Sequence, residues 1–322
     1  MTKHKADSSW NIAVASRSFS RHPMLREELL SLYPKAIFND EGLSLKDESL
    51  VTFLKGMDAA VLALEPVTEA VLSQLPSLKT ISKFGVGFDK IDIAALINRD
   101  IHLGWTGGVN KRSVTELALC MMISLIRNID QSSRDVRAGK WMILPGKQLS
   151  NHTIGVIGCG HIGKDLIPIL KTLGCKVLVH DIRDYSEFYQ EHSVTPVSMK
   201  ELLSQSDVIT LHVPLNKTTT NIISAERIAL MKDGAILINT ARGGLVDEEA
   251  LSTALISGKL SGAAFDAFAI EPPVSSNLLK LNNFMSTPHI GGSAAEAILS
   301  MGRAAIKGLA QNQLPEKGVF PQ

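Results

Sequence analysis

An arginine, a carboxylate and a histidine late in the chain have the types needed to hold an anion and move a proton at one centre. Arg242 lies in AILINTARGGLVDEEAL, Asp266 and Glu271 in GAAFDAFAIEPP, and His289 in FMSTPHIGG. Imidazole gives and takes protons near neutral pH, a neighbouring carboxylate favours and orients its charged form, and a guanidinium offers a planar two-pronged donor. Such a set suits hydride transfer at a carbon bearing a hydroxyl, provided a hydride carrier lies beside it. Each residue also has a plainer reading. A histidine before Gly-Gly is commonly a turn residue, an arginine after a strand a solvated charge, and a glutamate before Pro-Pro a loop residue. Their joint appearance after three successive strand-like runs carries the argument, because open parallel sheets bind ligands outside the carboxyl ends of their strands.

A cradle for the carrier lies upstream, in TIGVIGCGHIGKDLIPILKTLG. Gly158, Gly160 and Gly163 have the G-x-G-x-x-G spacing between a β-rich run and a helical pattern. The first permits a tight turn, the second lets a pyrophosphate approach the backbone, and the third allows close helix–strand packing. The glycines alone could mark no more than a turn. About 20 residues on, KVLVHD ends in Asp181, where a carboxylate can accept both ribose hydroxyls of NAD and repel a 2′-phosphate. Arg183 keeps NADP open as the lesser alternative.

The elements that must position these groups alternate along all 322 residues. Strand-like runs are 11–16, 36–38, 59–63, 79–83 and 101–104, then 153–158, 176–181, 207–213, 235–240, 262–267 and 284–287, with helical patterns such as 23–32, 68–75 and 91–98 between them. Such alternation predicts α/β architecture with parallel sheets and βαβ crossovers. A long helix is expected over 114–129, capped by Asn110 or Ser113, its wide apolar face either buried within one subunit or partly an interface. Residues 127–150 read as a polar connection, and a last helix is expected over 293–311. The length suggests two domains. A formal net charge of +1 gives no global reason to bind nucleic acid or an anionic membrane. Cys120, Cys159 and Cys175 are too few and too scattered for a disulfide framework, and none sits in a C-x-x-C pair, so neither a zinc ribbon nor a dithiol redox site is suggested. The longest apolar stretch, 118–126, is about half a membrane span. A cytoplasmic protein is expected.

Taken together, ISKFGVGFDKIDI, VNKRSVTELAL, IGVIGCGHIG, HVPLNKTTTNII, NTARGGLVDEEAL, FDAFAIEPP and TPHIGG resemble, in order and over nearly the whole chain, the D-isomer-specific 2-hydroxyacid dehydrogenases. The resemblance implies two Rossmann-like, doubly wound parallel-sheet domains with a cleft between them. Residues 1–108 and 293–322 would form the substrate-binding domain, and 109–292 the NAD-binding domain. It implies that Arg242 holds the substrate carboxylate and C2 oxygen, Glu271 partners His289, and His289 moves the proton. Asp266 would hold the nicotinamide carboxamide. His161 and Ile162 would contact the pyrophosphate, Thr240 and Ala241 the nicotinamide side, His212 and Pro214 the cofactor wall, and Gly291 the cofactor as well. Amides around Val86 and Gly87 would bind the substrate carboxylate, with Lys83 beside them. A homodimer through the nucleotide domain is also implied.

The substrate expected first is that of a phosphoglycerate dehydrogenase-like short form without a regulatory domain, with glyoxylate, hydroxypyruvate or another 2-keto acid as the alternative. LALEPVTE offers no arginine for a phosphate. Two relatives of the family give other readings: formate dehydrogenase, which carries Gln where this chain has Glu271, and the NAD-sensing corepressors, which bind without turnover.

Overall fold

A computed structural model describes residues 5–87 and 89–316, so the chain ends and Phe88 of the KFGVGFD turn lie outside the described residues. The chain divides into two compact units, Met1–Asn110 with Ser293–Gln322, and Lys111–Gly292.

The first unit is built on five parallel strands: β1 (Ile12–Val14), β2 (Ile37–Phe38), β3 (Ala59–Leu62), β4 (Thr80–Lys83) and β5 (His102–Gly104), in the spatial order β2-β1-β3-β4-β5. Successive strand residues face opposite sides, so both faces need cover. Ala13 and Ala60 point into one layer with Leu50, Leu72 and Leu96. Ile12, Val14 and Val61 point into the other with Phe19, Leu25 and Leu309. Leu309 comes from the far end of the chain. The helix Ala295–Ala310 lies directly on the sheet, where the Ser82 hydroxyl donates to the Ala305 carbonyl at 2.6 Å. A side chain at Gly104 would place its Cβ 2.2 Å from the Gly308 carbonyl oxygen, so that contact requires glycine.

The second unit carries seven parallel strands: β6 (Thr153–Ile157), β7 (Lys176–His180), β8 (Thr195–Pro196), β9 (Val208–Leu211), β10 (Ala235–Asn239), β11 (Leu260–Phe265) and β12 (Phe284–Ser286), ordered β12-β11-β10-β9-β6-β7-β8. From β6 the chain winds outward through β7 to β8, then returns past β6 to β9 and winds the other way. The reversal falls between β6 and β9, which makes their carboxyl ends the crevice of this sheet.

The two-residue β8 has no counterpart among the expected runs. The helix expected over 114–129 spans Lys111–Ile126, and a second helix, Ile129–Arg137, occupies part of the stretch expected to be a connection. Asn128, at φ +55°, separates them. The second helix buries none of its residues and has only two apolar ones, Ile129 and Val136, both exposed, so its composition reads as a polar connection. Its charges are satisfied locally instead: Arg134 lies 3.4 Å from Asp130 one turn back and donates to the Asn282 carbonyl at 2.8 Å. Ser113, a candidate cap, donates to the Gly291 carbonyl at 2.6 Å. Among the described residues no helix is long and apolar enough to cross a membrane.

Candidate active site

The crevice of the second unit begins where β6 turns through Gly158 and Cys159 to Gly160, the residue that starts the helix His161–Thr172. The three glycines are needed for different reasons. Gly158 has φ +100°, and a Cβ there would lie 2.5 Å from the His212 carbonyl oxygen. A Cβ at Gly163 would lie 2.2 Å from the Gly158 carbonyl oxygen, so the helix closes tightly on the turn. Gly160 has nothing within 4 Å of its Cβ position and caps the helix with no side-chain hydrogen bond. An open backbone face thus precedes His161 and Ile162 at the start of a helix, an arrangement that fits a pyrophosphate. Asp181, at the end of β7, accepts the Cys159 amide at 2.6 Å and the Arg183 amide at 2.8 Å.

Across the crevice, the Nε2 of His212 lies 3.0 Å from the Thr210 hydroxyl, and its Nδ1 is buried without a partner. Burial lowers the imidazole from 6.5 to about 3, so it is neutral near pH 7. The unfolded chain takes up this proton near 6.5 and the folded chain near 3; the stability it contributes is present above about 6.5 and lost as pH falls toward 3. The expected loss from this residue is about 2 kcal/mol at pH 5. Thermal melts from pH 7 to 5 check it: His212→Asn should flatten the decline, and equal slopes would remove His212 as its cause. Pro214, two residues on, accepts the Thr219 hydroxyl at 2.6 Å.

Arg242, Glu271 and His289 follow β10, β11 and β12, three adjacent strand ends, and the structure brings their loops together. Nδ1 of His289 lies 3.0 Å from each carboxylate oxygen of Glu271. Glu271 in turn accepts the Phe268 amide at 3.1 Å. Phe268 is held by the ring of Phe284, 6.1 Å between centroids, so the loop carrying Glu271 starts from a packed anchor. The turn carrying Arg242 rests on the same loop: a Cβ at Gly243 would sit 1.9 Å from the Phe268 carbonyl carbon and oxygen. Backbone must move to admit it. Gly243→Ala is therefore expected to lower stability by about 1–3 kcal/mol, read as a fall in Tm; an unchanged Tm would show the turn free of that contact.

Arg242 donates to the Ala241 carbonyl at 2.8 Å. The Thr240 hydroxyl, just past the end of β10, is buried and unpartnered, a polar atom with hydrogen-bonding capacity to spare. Asp266, 1% exposed, accepts the Thr287 hydroxyl at 2.6 Å and the amides of Ile290 and Gly291 at 2.7 Å each. It thereby fixes the loop on which His289 sits at φ +56°. A cavity of about 480 Å³ opens beside the pair, lined among others by Asp266, Phe268, Glu271, Pro272, Pro288 and His289. The arrangement can hold an anion and exchange a proton through the imidazole nitrogen that Glu271 leaves free.

Lys83, Val86 and Gly87 belong to the first unit, at the carboxyl end of β4. The Lys83 ammonium is buried and donates to the carbonyl oxygens of Ala63 and, at 3.3 Å, Phe84. Gly85 opens the following turn at φ +108°, and the Val86 carbonyl accepts the Trp105 indole N–H at 3.3 Å.

Sequence reading passes over Asn239, Glu248 and Thr287. Asn239 is fully buried, accepts the Ala241 amide at 3.1 Å and donates to the Arg242 carbonyl at 2.8 Å, shaping the arginine turn. Its place as the last residue of β10 is the signal that could have found it. Glu248 accepts the Ala269 amide at 2.9 Å, a contact with no local signature.

Residues 119–291 match the family model described as D-isomer specific 2-hydroxyacid dehydrogenase, NAD binding domain. Hydroxypyruvate reductase of Thermotoga maritima is 37% identical over 282 residues, covering 85% of this chain and 91% of that protein. D-3-phosphoglycerate dehydrogenase of Methanocaldococcus jannaschii is 36% identical over 302 residues; these are 92% of this chain but 58% of that longer protein. The crystal structure of D-lactate dehydrogenase from Aquifex aeolicus, complexed with NAD and lactic acid, superposes with a TM-score of 0.82 at 30% identity, covering 92% of this chain and 93% of that one.

Proposed function

This chain belongs to the D-isomer-specific 2-hydroxyacid dehydrogenases, and on that premise we propose that it interconverts a short, unphosphorylated D-2-hydroxy acid and its 2-keto acid with His289 as general acid–base. The observation that carries the proposal is the contact of His289 Nδ1 with both oxygens of Glu271 at 3.0 Å. It leaves Nε2 to face the substrate. In oxidation His289 takes the C2 hydroxyl proton there; in reduction it returns the proton to the C2 oxygen, and Glu271 stabilises the imidazolium between. NAD, when bound, supplies the acceptor or donor of the C2 hydride. Arg242 holds the substrate carboxylate and C2 oxygen, and the amides around Val86 and Gly87 hold the carboxylate from the first unit. Asp266, Thr240, Ala241 and Gly291 surround the nicotinamide end, with His161, Ile162, His212 and Pro214 along the rest of the cofactor. The protein acts as a cytoplasmic homodimer, paired through the helix Lys111–Ile126, where Leu117, Leu119 and Leu125 are only partly buried.

The preference for an unphosphorylated substrate rests on the first unit. The Lys83 ammonium is engaged by the backbone oxygens of Ala63 and Phe84. The neighbouring turn after β3 presents an exposed Leu64 and offers no cation, and its buried Glu65 carboxylate accepts the Ala63 amide at 2.6 Å. The second reading, 3-phosphohydroxypyruvate, is favoured by the 36% identity to the Methanocaldococcus protein of that activity.

A steady-state panel of glyoxylate, hydroxypyruvate, pyruvate and 3-phosphohydroxypyruvate, each with NADH, tests the proposal. Hydroxypyruvate or glyoxylate should give the highest kcat/KM. A preference for the phosphorylated acid would reverse the substrate assignment, and no turnover with NADH bound would favour a sensor.

A further inference from the structure

We propose that Asp181 is a positioning residue that holds the glycine-rich turn in its binding shape before any cofactor arrives, in addition to facing the ribose. β6 and β7 are parallel, with Ile157 beside His180. The Gly158 amide donates to the His180 carbonyl at 2.8 Å. One residue further the two backbones diverge, and the Asp181 side chain continues the ladder. Its Oδ2 takes the Cys159 amide at 2.6 Å and its Oδ1 the Arg183 amide at 2.8 Å. One carboxylate thus ties the middle of the G-x-G turn to the turn that follows β7.

A second observation shows how much the tie secures. The side chain of Cys159 is fully buried beneath the turn, in the same apolar cluster as Val156, Leu166 and Tyr189. Burial pushes its thiol up to about 11, so it is a neutral packing group at physiological pH. Releasing the Cys159 amide would strand a polar N–H over that cluster and loosen the thiol beneath it. Each carboxylate oxygen has two acceptor positions, so the amides occupy one apiece and leave one apiece for a pair of hydroxyls. The same residue can therefore shape the turn and receive the ribose. The consequence concerns cofactor exchange. Removing Asp181 to admit a 2′-phosphate also removes the support of the pyrophosphate cradle, so NADPH binding should not be gained. The tie lies wholly within the protein; only the position of the ribose rests on the NAD reading.

The experiment is alkylation of the cofactor-free protein with N-ethylmaleimide, read by peptide mass spectrometry at Cys159 and Cys175, for wild type, Asp181→Ala and Asp181→Asn. Cys175 is also buried in the second unit, 4% exposed, and reports on global opening. Local opening should raise the Cys159 rate on the order of 10-fold in Asp181→Ala, with Cys175 unchanged. Asp181→Asn, which keeps one acceptor oxygen, should fall between, with Cys175 again unchanged. Fluorescence titration should show weaker NADH binding and no gain for NADPH. An unchanged Cys159 rate with weakened NADH binding would make Asp181 a ribose ligand only and overturn the proposal. Equal acceleration at Cys159 and Cys175 in Asp181→Asn would overturn it too, because Asp181 would then support the whole unit. A gain of NADPH binding in Asp181→Ala would do the same. If wild type bound no NADH, the NAD reading would fall while the labelling still decided the tie.

Discussion

His289→Gln is expected to lower kcat by on the order of 10²–10⁴-fold while leaving NADH affinity nearly unchanged. The side chain contacts Glu271 and lines the cavity, but none of its described contacts reaches the glycine-rich turn. Glutamine has similar reach and can still donate to Glu271, so the charge of Glu271 keeps a partner. What it lacks is a titrating nitrogen, and the proton of the C2 oxygen then has no acceptor at the site. Single-turnover kinetics with fluorescence titration of NADH separate the two effects. Turnover close to wild type would remove His289 from the mechanism; lost NADH binding would show that the substitution had disturbed the fold of the crevice instead.

Arg242→Lys should reduce kcat/KM by on the order of 10²–10³-fold, with Tm within about 1 °C of wild type. Charge is conserved, so simple attraction of an anion survives. A guanidinium can point one edge at a carboxylate and a carbonyl oxygen together, whereas an ammonium acts as a point charge on a flexible stem. The arginine turn itself is shaped by Asn239 through its bonds to the Ala241 amide and the Arg242 carbonyl, neither of which involves the guanidinium. The guanidinium's own bond to the Ala241 carbonyl is one that an ammonium can also make, so stability is expected to be spared and catalysis not. Full activity in the lysine variant would mean that a point charge suffices and that Arg242 does not engage two oxygens at once.

Much of this site was legible in the linear chain because its parts are local. The glycine spacing of 158, 160 and 163 marks a turn whose φ and clearances only glycine satisfies at Gly158, and the acid at the end of the next strand follows from the length of one βα unit. Arg242, Glu271 and His289 could be listed for a related reason: each follows, within a few residues, a run of β-branched and apolar residues. The helix Ile129–Arg137 was not legible, since with only Ile129 and Val136 apolar its composition is that of a polar connection. Nor was Asn239, an amide whose importance comes from the two turn atoms it meets.

The amino-acid order alone determined the two parallel α/β units, the place of the dinucleotide turn and the identity of the three chemically able side chains, because sterics and periodicity act over a few residues. The tertiary structure decided who meets whom. It set Gly243 against Phe268, joined the amide of Cys159 to Asp181 and those of Ile290 and Gly291 to Asp266, engaged Lys83 with backbone oxygens, and laid a helix from the far end of the chain on the first sheet. These pairings depend on which strands lie side by side. Strand order is settled by burying both faces of each sheet at once, a condition on the whole chain that no short window of residues contains.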